Sequence, residues 1–301
     1  MLCIFSIDVE DWFHILDLPS TPALSEWDGL PSCVEKNFQK LLDLLSERDV
    51  KATCFFLGWI AEKFPHLVHE AKKRGHEIAS HGYSHRLVHQ MTPQEFYEDV
   101  TRSKKAIEDI SGRPVLGYRA PGFSMTKDTQ WFFPLLAAAG YQYDSSVLPA
   151  PHGHGGVWGG NIAPYIVGTP AGSLIEFPVS VQPIFGRPIC FFGGGHLRLF
   201  PYWLIHSMTA EILRQGRPVV FYVHPREIDP DHPRLPMNLV RRFKSYVNLQ
   251  TTEKKIRRLL ADQVICSFET YLKNSSTQLG HSLRWDASPS FLKDMGESRG
   301  A

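Results

Sequence analysis

Apolar positions in the first half of the chain come as short continuous runs separated by longer stretches of helical spacing. Cys3-Ile4-Phe5-Ser6-Ile7 is almost wholly apolar, so residues 3–9 read as a buried strand that ends among Asp8, Glu10 and Asp11. Residues 15–31 hold Pro19, Pro22, Gly29 and Pro31 and predict a loop. Over residues 33–48, Val34, Phe38, Leu41, Leu42 and Leu45 fall on one stripe behind Ser32, a suitable N-cap for a helix. Residues 51–57 predict a second strand. A helix over 60–74 follows, restarted at Pro65 and stopped by Gly75, and then a short strand at 76–79. Thr92-Pro93-Gln94-Glu95 places a hydroxyl at the N-cap, proline at N1 and glutamate at N3, the start of a helix reaching about residue 110. A strand at 114–118, a helix at 127–139 capped by Gly140, and the segment Tyr141 to Ser146 complete this half.

The second half loses that rhythm. Residues 147–172 are crowded with glycine and proline, along with His152, His154 and Trp158, and predict a long loop. A strand at 173–179 follows; Gly193-Gly194-Gly195 precedes a helix at 201–215, and residues 218–223 form the most apolar strand of this half. A basic helix at 251–260 and a last strand at 263–266 lead to a polar tail, predicted disordered over 274–301. Strands alternating with helices through short connections predict an α/β fold with a mostly parallel sheet. No repeat and no linker divides the chain, so residues 1–273 read as one domain.

Composition narrows the picture. With 301 residues, 43% hydrophobic and 21% charged, the chain suits one barrel-sized soluble domain. The 32 lysines and arginines against 31 acids leave a net charge of +1, which gives no reason to expect nucleic acid as a partner. Five scattered cysteines without a CxxC pair suit a reducing compartment. The first apolar run is too short for a signal peptide, and no stretch approaches the roughly 18 apolar residues of a membrane span. The expectation is a cytoplasmic protein, at most working at the inner face of the membrane without inserting into it.

The chemistry gathers after the strands, where α/β folds build their sites. His81 and His85, four apart in a polar turn, suit a borderline metal such as zinc, which at a catalytic centre needs a third ligand. The alternative is a pair of ordinary surface or core histidines, since the chain has 14. Asp8 and Glu10 alternate with Val9 and share a face, whereas Asp11 points elsewhere. Arg119, held by Ala120-Pro121, suits a bidentate partnership with Asp8, or an ordinary ion pair. His224 ends an apolar strand, where a general acid would be placed, with Asp144 as the carboxylate able to fix its tautomer. A GxSxG elbow, a phosphate loop and a dinucleotide fingerprint are all absent from the sequence.

Five segments then occur in a familiar order. Ser6-Ile7-Asp8-Val9-Glu10-Asp11, Ser80-His81-Gly82-Tyr83-Ser84-His85, Tyr118-Arg119-Ala120-Pro121-Gly122-Phe123, Tyr143-Asp144-Ser145-Ser146 and Phe221-Tyr222-Val223-His224-Pro225 resemble the motifs of the NodB-type polysaccharide deacetylases, carbohydrate esterase family 4. Residues 243–260 resemble the C-terminal extension of a subgroup found in exosortase-type exopolysaccharide loci, an extension expected over about 225–273. The resemblance covers roughly residues 3–266.

It implies a distorted (β/α) barrel of about seven strands and a metal-dependent amide hydrolase. By position, Asp8 matches the catalytic base, Glu10, His81 and His85 the metal ligands, and Arg119 the residue orienting the base. His224 matches the general acid and Asp144 the group supporting it. The Phe123 N–H, beside Pro121, would help hold the oxyanion. The implied cofactor is a divalent metal, zinc first, with cobalt, nickel or manganese as alternatives. The implied partner is a glycan carrying an N-acetylhexosamine. Trp12, Phe13, Trp158 and Tyr165 are either sugar-stacking aromatics or packing residues. Two departures stand out: Val9 occupies the place of a second aspartate, so that Glu10 follows, and Gly82 replaces a hydroxyl residue. Two other readings stay open, an allantoinase-like hydrolase of small cyclic amides working without metal, and a glycan-binding protein without turnover.

Overall fold

A computed structural model describes residues 2–150 and 153–275. The expected disorder over 274–301 falls outside these residues from 276 onward, as does His152; the last helix runs to residue 275.

The strands are β1 (Cys3–Val9), β2 (Thr53–Phe56), β3 (Glu77–Ser80), β4 (Gly117–Tyr118), β5 (Tyr143–Asp144), β6 (Tyr165–Thr169), β7 (Gly172–Glu176), β8 (Val181–Ile184), β9 (Arg187–Cys190), β10 (Val219–Val223) and β11 (Ile265–Cys266). Seven of them run parallel in the order β10-β1-β2-β3-β4-β5-β7. Every residue of β1, β2 and β10 is buried, the continuous apolar run that a parallel sheet covered on both faces requires. The mixed α/β architecture and its mostly parallel sheet match the sequence expectation. The ladder does not close among the described residues; beyond β7 lies β6, and on its outer side β10 meets the backbone at Phe192, whose carbonyl accepts the Tyr222 N–H at 3.3 Å.

The helices are α1 (Val34–Ser46), α2 (Gly58–Lys63), α3 (Pro65–Lys73), α4 (Pro93–Ser111), α5 (Phe132–Ala138), α6 (Gly194–Leu199), α7 (Tyr202–Arg214), α8 (Leu239–Tyr246), α9 (Leu249–Asp262) and α10 (Phe268–Ser275). The break at Pro65 and the capping box of α4 are as expected. At α1, Asp11 joins Ser32 in the capping: its carboxylate accepts the Ser32 hydroxyl at 2.5 Å and the N–H groups of Cys33 and Val34. Asp11 is thus spent on structure, pinning the end of β1 to the start of α1.

The second half departs further from expectation. The predicted loop at 147–172 contains β6, which pairs antiparallel with β7. Residues 181–190 form the separate hairpin β8–β9, and the glycine run opens α6 instead of merely preceding α7. The helix α8 also went unanticipated. Its apolar positions Leu239, Val240 and Phe243 do fall at helical spacing, but they are exposed.

Candidate active site

The carboxyl ends of the parallel strands converge on one cavity of about 470 Å³. Asp8 arrives near the end of β1, and Glu10 follows a turn in which its N–H donates to the Asp8 carbonyl at 3.0 Å. His81 comes directly after β3, Arg119 after β4 and His224 after β10. Asp8, Glu10, His81, His85 and His224 all line the cavity.

Glu10, His81 and His85 each offer a ligand atom within 4.8 Å of the other two, and all three residues are buried. His81 Nδ1 lies 2.8 Å from the Arg119 carbonyl, which fixes that nitrogen as the protonated one and leaves Nε2 with its lone pair. His85 Nε2 is buried without a hydrogen-bond partner, 3.1 Å from Glu10 Oε2. Burial pushes both imidazoles down, His85 to about 4, so they are neutral at neutral pH. Burial works against the Glu10 charge, but His85 and His224 outweigh it and keep the carboxyl far below its usual range. An orphaned imidazole nitrogen facing an ionised carboxylate and a second neutral imidazole is a donor set that fits a divalent cation. Gly82 turns the chain between the histidines at φ +76°; a Cβ there would sit 2.9 Å from Asp99 Oδ2. Asp99 takes the N–H groups of Tyr83 and Ser84, so the side chain missing at position 82 makes room for the group that shapes the turn.

Asp8 is held from behind. Arg119 Nη1 donates to Asp8 Oδ1 at 2.7 Å and to the Ser6 hydroxyl at 2.7 Å, and Nε donates to the Ser145 carbonyl at 3.2 Å. The guanidinium is wholly buried over the Phe55 ring at 4.2 Å. With Oδ1 engaged by Arg119, Oδ2 lies 3.8 Å from His224 Nε2.

His224 lies between two acids, Glu10 Oε1 at 3.0 Å from Nε2 and Glu227 Oε2 at 3.2 Å from Nδ1. Burial alone would lower its pKa, yet Glu10 and Glu227 raise it to about 10, so the ring is protonated. Glu227 is in turn paired with the buried Arg198 at 3.0 Å, and against the effect of burial these two cations bring its pKa down to about 2. Arg198 also donates to the carbonyls of Ser245 at 2.7 Å and Lys244 at 3.1 Å, tying the end of α8 to this chain of charges.

Two expected roles need correction. Asp144 does not support His224. Its Oδ1 accepts from the Ser146 hydroxyl at 2.6 Å, and its carboxyl hydrogen-bonds that of Glu176. Burial raises both acids, which share a proton far from the imidazole. Glu227 is the residue at His224 Nδ1. Its sequence signal is the His224-Pro225-Arg226-Glu227 spacing, with proline at N1 and glutamate at N3 of a short 3₁₀ turn, which puts Glu227 Oε2 3.0 Å from the His224 N–H. The Phe123 N–H is not a free donor: it closes the turn onto the Ala120 carbonyl at 3.1 Å. Phe123 lines the cavity with its side chain, whereas Pro121 is buried away from it. Of the expected stacking aromatics, Trp12, Phe13 and Tyr165 are buried and Trp158 is exposed; the cavity is lined instead by Phe123, Tyr222 and Phe243.

A parallel sheet with this cluster at its strand ends belongs to a class of α/β fold also seen in solved structures. The chain superposes on a structure described as a polysaccharide deacetylase from Mycobacterium smegmatis with a TM-score of 0.64 at 22% identity, covering 95% of this chain and 93% of that one. The Puue allantoinase structure gives 0.62 at 15% identity, covering 93% and 92%. At these identities the likeness establishes the fold. Residues 21–143 match the polysaccharide deacetylase family model, and residues 145–273 match a second model described only as a domain of unknown function, DUF3473. The first part of the chain is thus similar to polysaccharide deacetylases, and the second part to a domain that fits an added C-terminal extension. Among its relatives, a peptidoglycan deacetylase of Helicobacter pylori is 31% identical over 114 residues, 38% of each chain. The chain spans less than half the length of such relatives.

Proposed function

We propose that this protein is a metal-dependent deacetylase, hydrolysing the acetamide of an N-acetylhexosamine in a bacterial polysaccharide or lipid-linked oligosaccharide and releasing acetate. One observation carries the reading: a cation-fitting set (Glu10, His81, His85), an arginine-held carboxylate (Asp8) and a protonated imidazole (His224) line the same cavity. Bound there, a divalent cation, zinc by the nature of the donors or else cobalt, nickel or manganese, would supply Lewis-acid polarisation of the acetamide carbonyl. Asp8 offers Oδ2 to take a proton from the attacking water while Arg119 holds the carboxylate aimed through Oδ1. His224 delivers the Nε2 proton to the departing sugar nitrogen, and Glu227 at Nδ1 holds the ring in place throughout. Arg119 is a positioning residue for Asp8, as Glu227 is for His224.

The matching family model and the relatives named as peptidoglycan deacetylases support a hydrolase of acetylated glycans. The match at 145–273 to a domain of unknown function fits an added C-terminal extension and names no substrate. The allantoinase-like reading has only fold likeness behind it. The test is metal content together with acetate release from acetylated glycans. The expected result is about one zinc-like ion per chain, with turnover abolished in Asp8→Asn and in His224→Ala. Turnover within tenfold of the unaltered protein in either variant would sink the assignment. A metal-free protein active on ring ureides would support the allantoinase-like reading, and glycan binding without acetate release a binding protein.

A further inference from the structure

The cavity is lined by more cations than its acids pair with. Each acid that lines it already faces a cation: Asp8 has Arg119, Glu10 has His224, and Glu227 has Arg198. Arg226, Arg241 and Lys244 also line it, and among the described residues no carboxylate lies within 4.0 Å of any of them. Their other bonds are few. Arg226 Nη1 reaches only the Ser245 carbonyl, at 3.5 Å, which is at the limit of a hydrogen bond. Arg241 Nη2 donates to the Leu16 carbonyl at 2.9 Å and lies 3.3 Å from His154 Nε2, but its Nε is buried with no partner at all. A buried guanidinium N–H without an acceptor costs free energy unless something else supplies one. Three cations with no carboxylate in direct contact, one with an orphaned donor and with Asp17 only beyond His154, make a cavity wall that attracts an anion.

We propose that Arg226, Arg241 and Lys244 form a subsite for an anionic substituent, phosphoryl or carboxylate, on the sugar whose acetamide is presented to the Glu10, His81 and His85 set. This rests on the deacetylase reading above and adds to it that the preferred substrate is a charged glycan. Arg226 stands two residues after His224, and Arg241 and Lys244 belong to α8, which Arg198 ties to Glu227. The anion subsite and the general acid are thus built on one continuous framework. Phe243, between the two α8 cations and also lining the cavity, offers a ring face beside the charge.

Binding can be measured without turnover by using sugars that lack an acetamide. Glucose 1-phosphate, glucuronic acid and methyl glucoside are titrated calorimetrically into the metal-loaded protein, the Arg226→Ala/Lys244→Ala variant and the charge-retaining Arg226→Lys/Lys244→Arg variant. The expected result is at least tenfold tighter binding of one anionic sugar than of methyl glucoside, a preference that weakens with salt, disappears in the alanine variant and survives in the charge-retaining one. Tighter binding of glucose 1-phosphate identifies a phosphoryl group, and of glucuronic acid a carboxylate. Equal affinity for all three sugars, or a preference untouched in the alanine variant, overturns the subsite. Acetate release is assayed separately, so a protein that binds anionic sugars but releases no acetate from any glycan refutes the deacetylase reading while leaving the subsite standing.

Discussion

The region up to Asp144 and the region from Ser145 onward place their functional groups by different means. In the first, position follows from the backbone: His81 and Arg119 stand one residue beyond β3 and β4, and Asp8 closes β1, so the parallel register delivers them to one edge. In the second, only His224 is delivered that way, by β10. Its orientation depends on a side-chain relay through Glu227 and Arg198 to the carbonyls of Lys244 and Ser245. A group placed by register tolerates changes around it, whereas one placed by a relay depends on every member of the relay. The metal-binding end of the site belongs to the first kind and the proton-donating end to the second.

Several measurements break or sharpen that contrast. The largest effect is expected from His81→Ala/His85→Ala, which should lose both the bound metal and all measurable acetate release. His224→Ala should lose turnover and keep the metal, so equal metal loss in both variants would erase the distinction between the two ends. Next comes Arg119→Met. It leaves Asp8 buried without its partner, a change that costs about 3–5 kcal/mol, to be read as a fall in the denaturation midpoint; a midpoint equal to that of the unaltered protein would contradict the burial argument. Glu227→Gln should keep the metal and the fold but lower kcat by about ten- to a hundredfold, the usual effect of removing a residue that orients an active-site histidine. Unchanged kcat would mean that β10 alone suffices.

The smallest expected effect is on stability against pH. Burial raises the folded-state pKa values of Asp144 and Glu176, so the folded protein holds a proton that the unfolded chain gives up near the ordinary carboxylate value. The stability this proton contributes is complete below that value and is lost as pH rises through the folded value. Glu176→Gln supplies an Oε1 for the Val147 N–H and an Nε2 donor for Asp144 without needing the proton. Its melting temperature should therefore fall less between pH 5 and pH 8 than that of the unaltered protein. Identical slopes would show that the pair does not share a proton.

How much of this was legible in the sequence follows the same division. Glu10, His81, His85, Asp8 and Arg119 could be placed together because each follows an apolar run whose burial makes it a strand, and parallel strands put their ends on one side. The five scattered cysteines are all unpaired, and Cys3, Cys54, Cys190 and Cys266 are buried. Asp144 is expected at His224 as a carboxylate able to fix its tautomer and from its place in the resembling motif, but which neighbour a carboxyl faces is not a property of its own segment. Glu176, in a strand read only as apolar, claims it.

By itself, then, the sequence determined the parallel α/β architecture and the residues at its strand ends, because the periodicity of burial is local and the register follows from it. Only the tertiary structure decided that Glu227 stands behind His224, that Asp11 caps α1, that the Phe123 N–H is spent in its own turn, and that Arg226, Arg241 and Lys244 face the cavity with no carboxylate in direct contact. Each of these depends on contacts between groups in three dimensions. Two of them, Glu227 and the three cations, lie in the half of the chain where glycines and turns interrupt the periodic pattern from which such contacts are usually inferred.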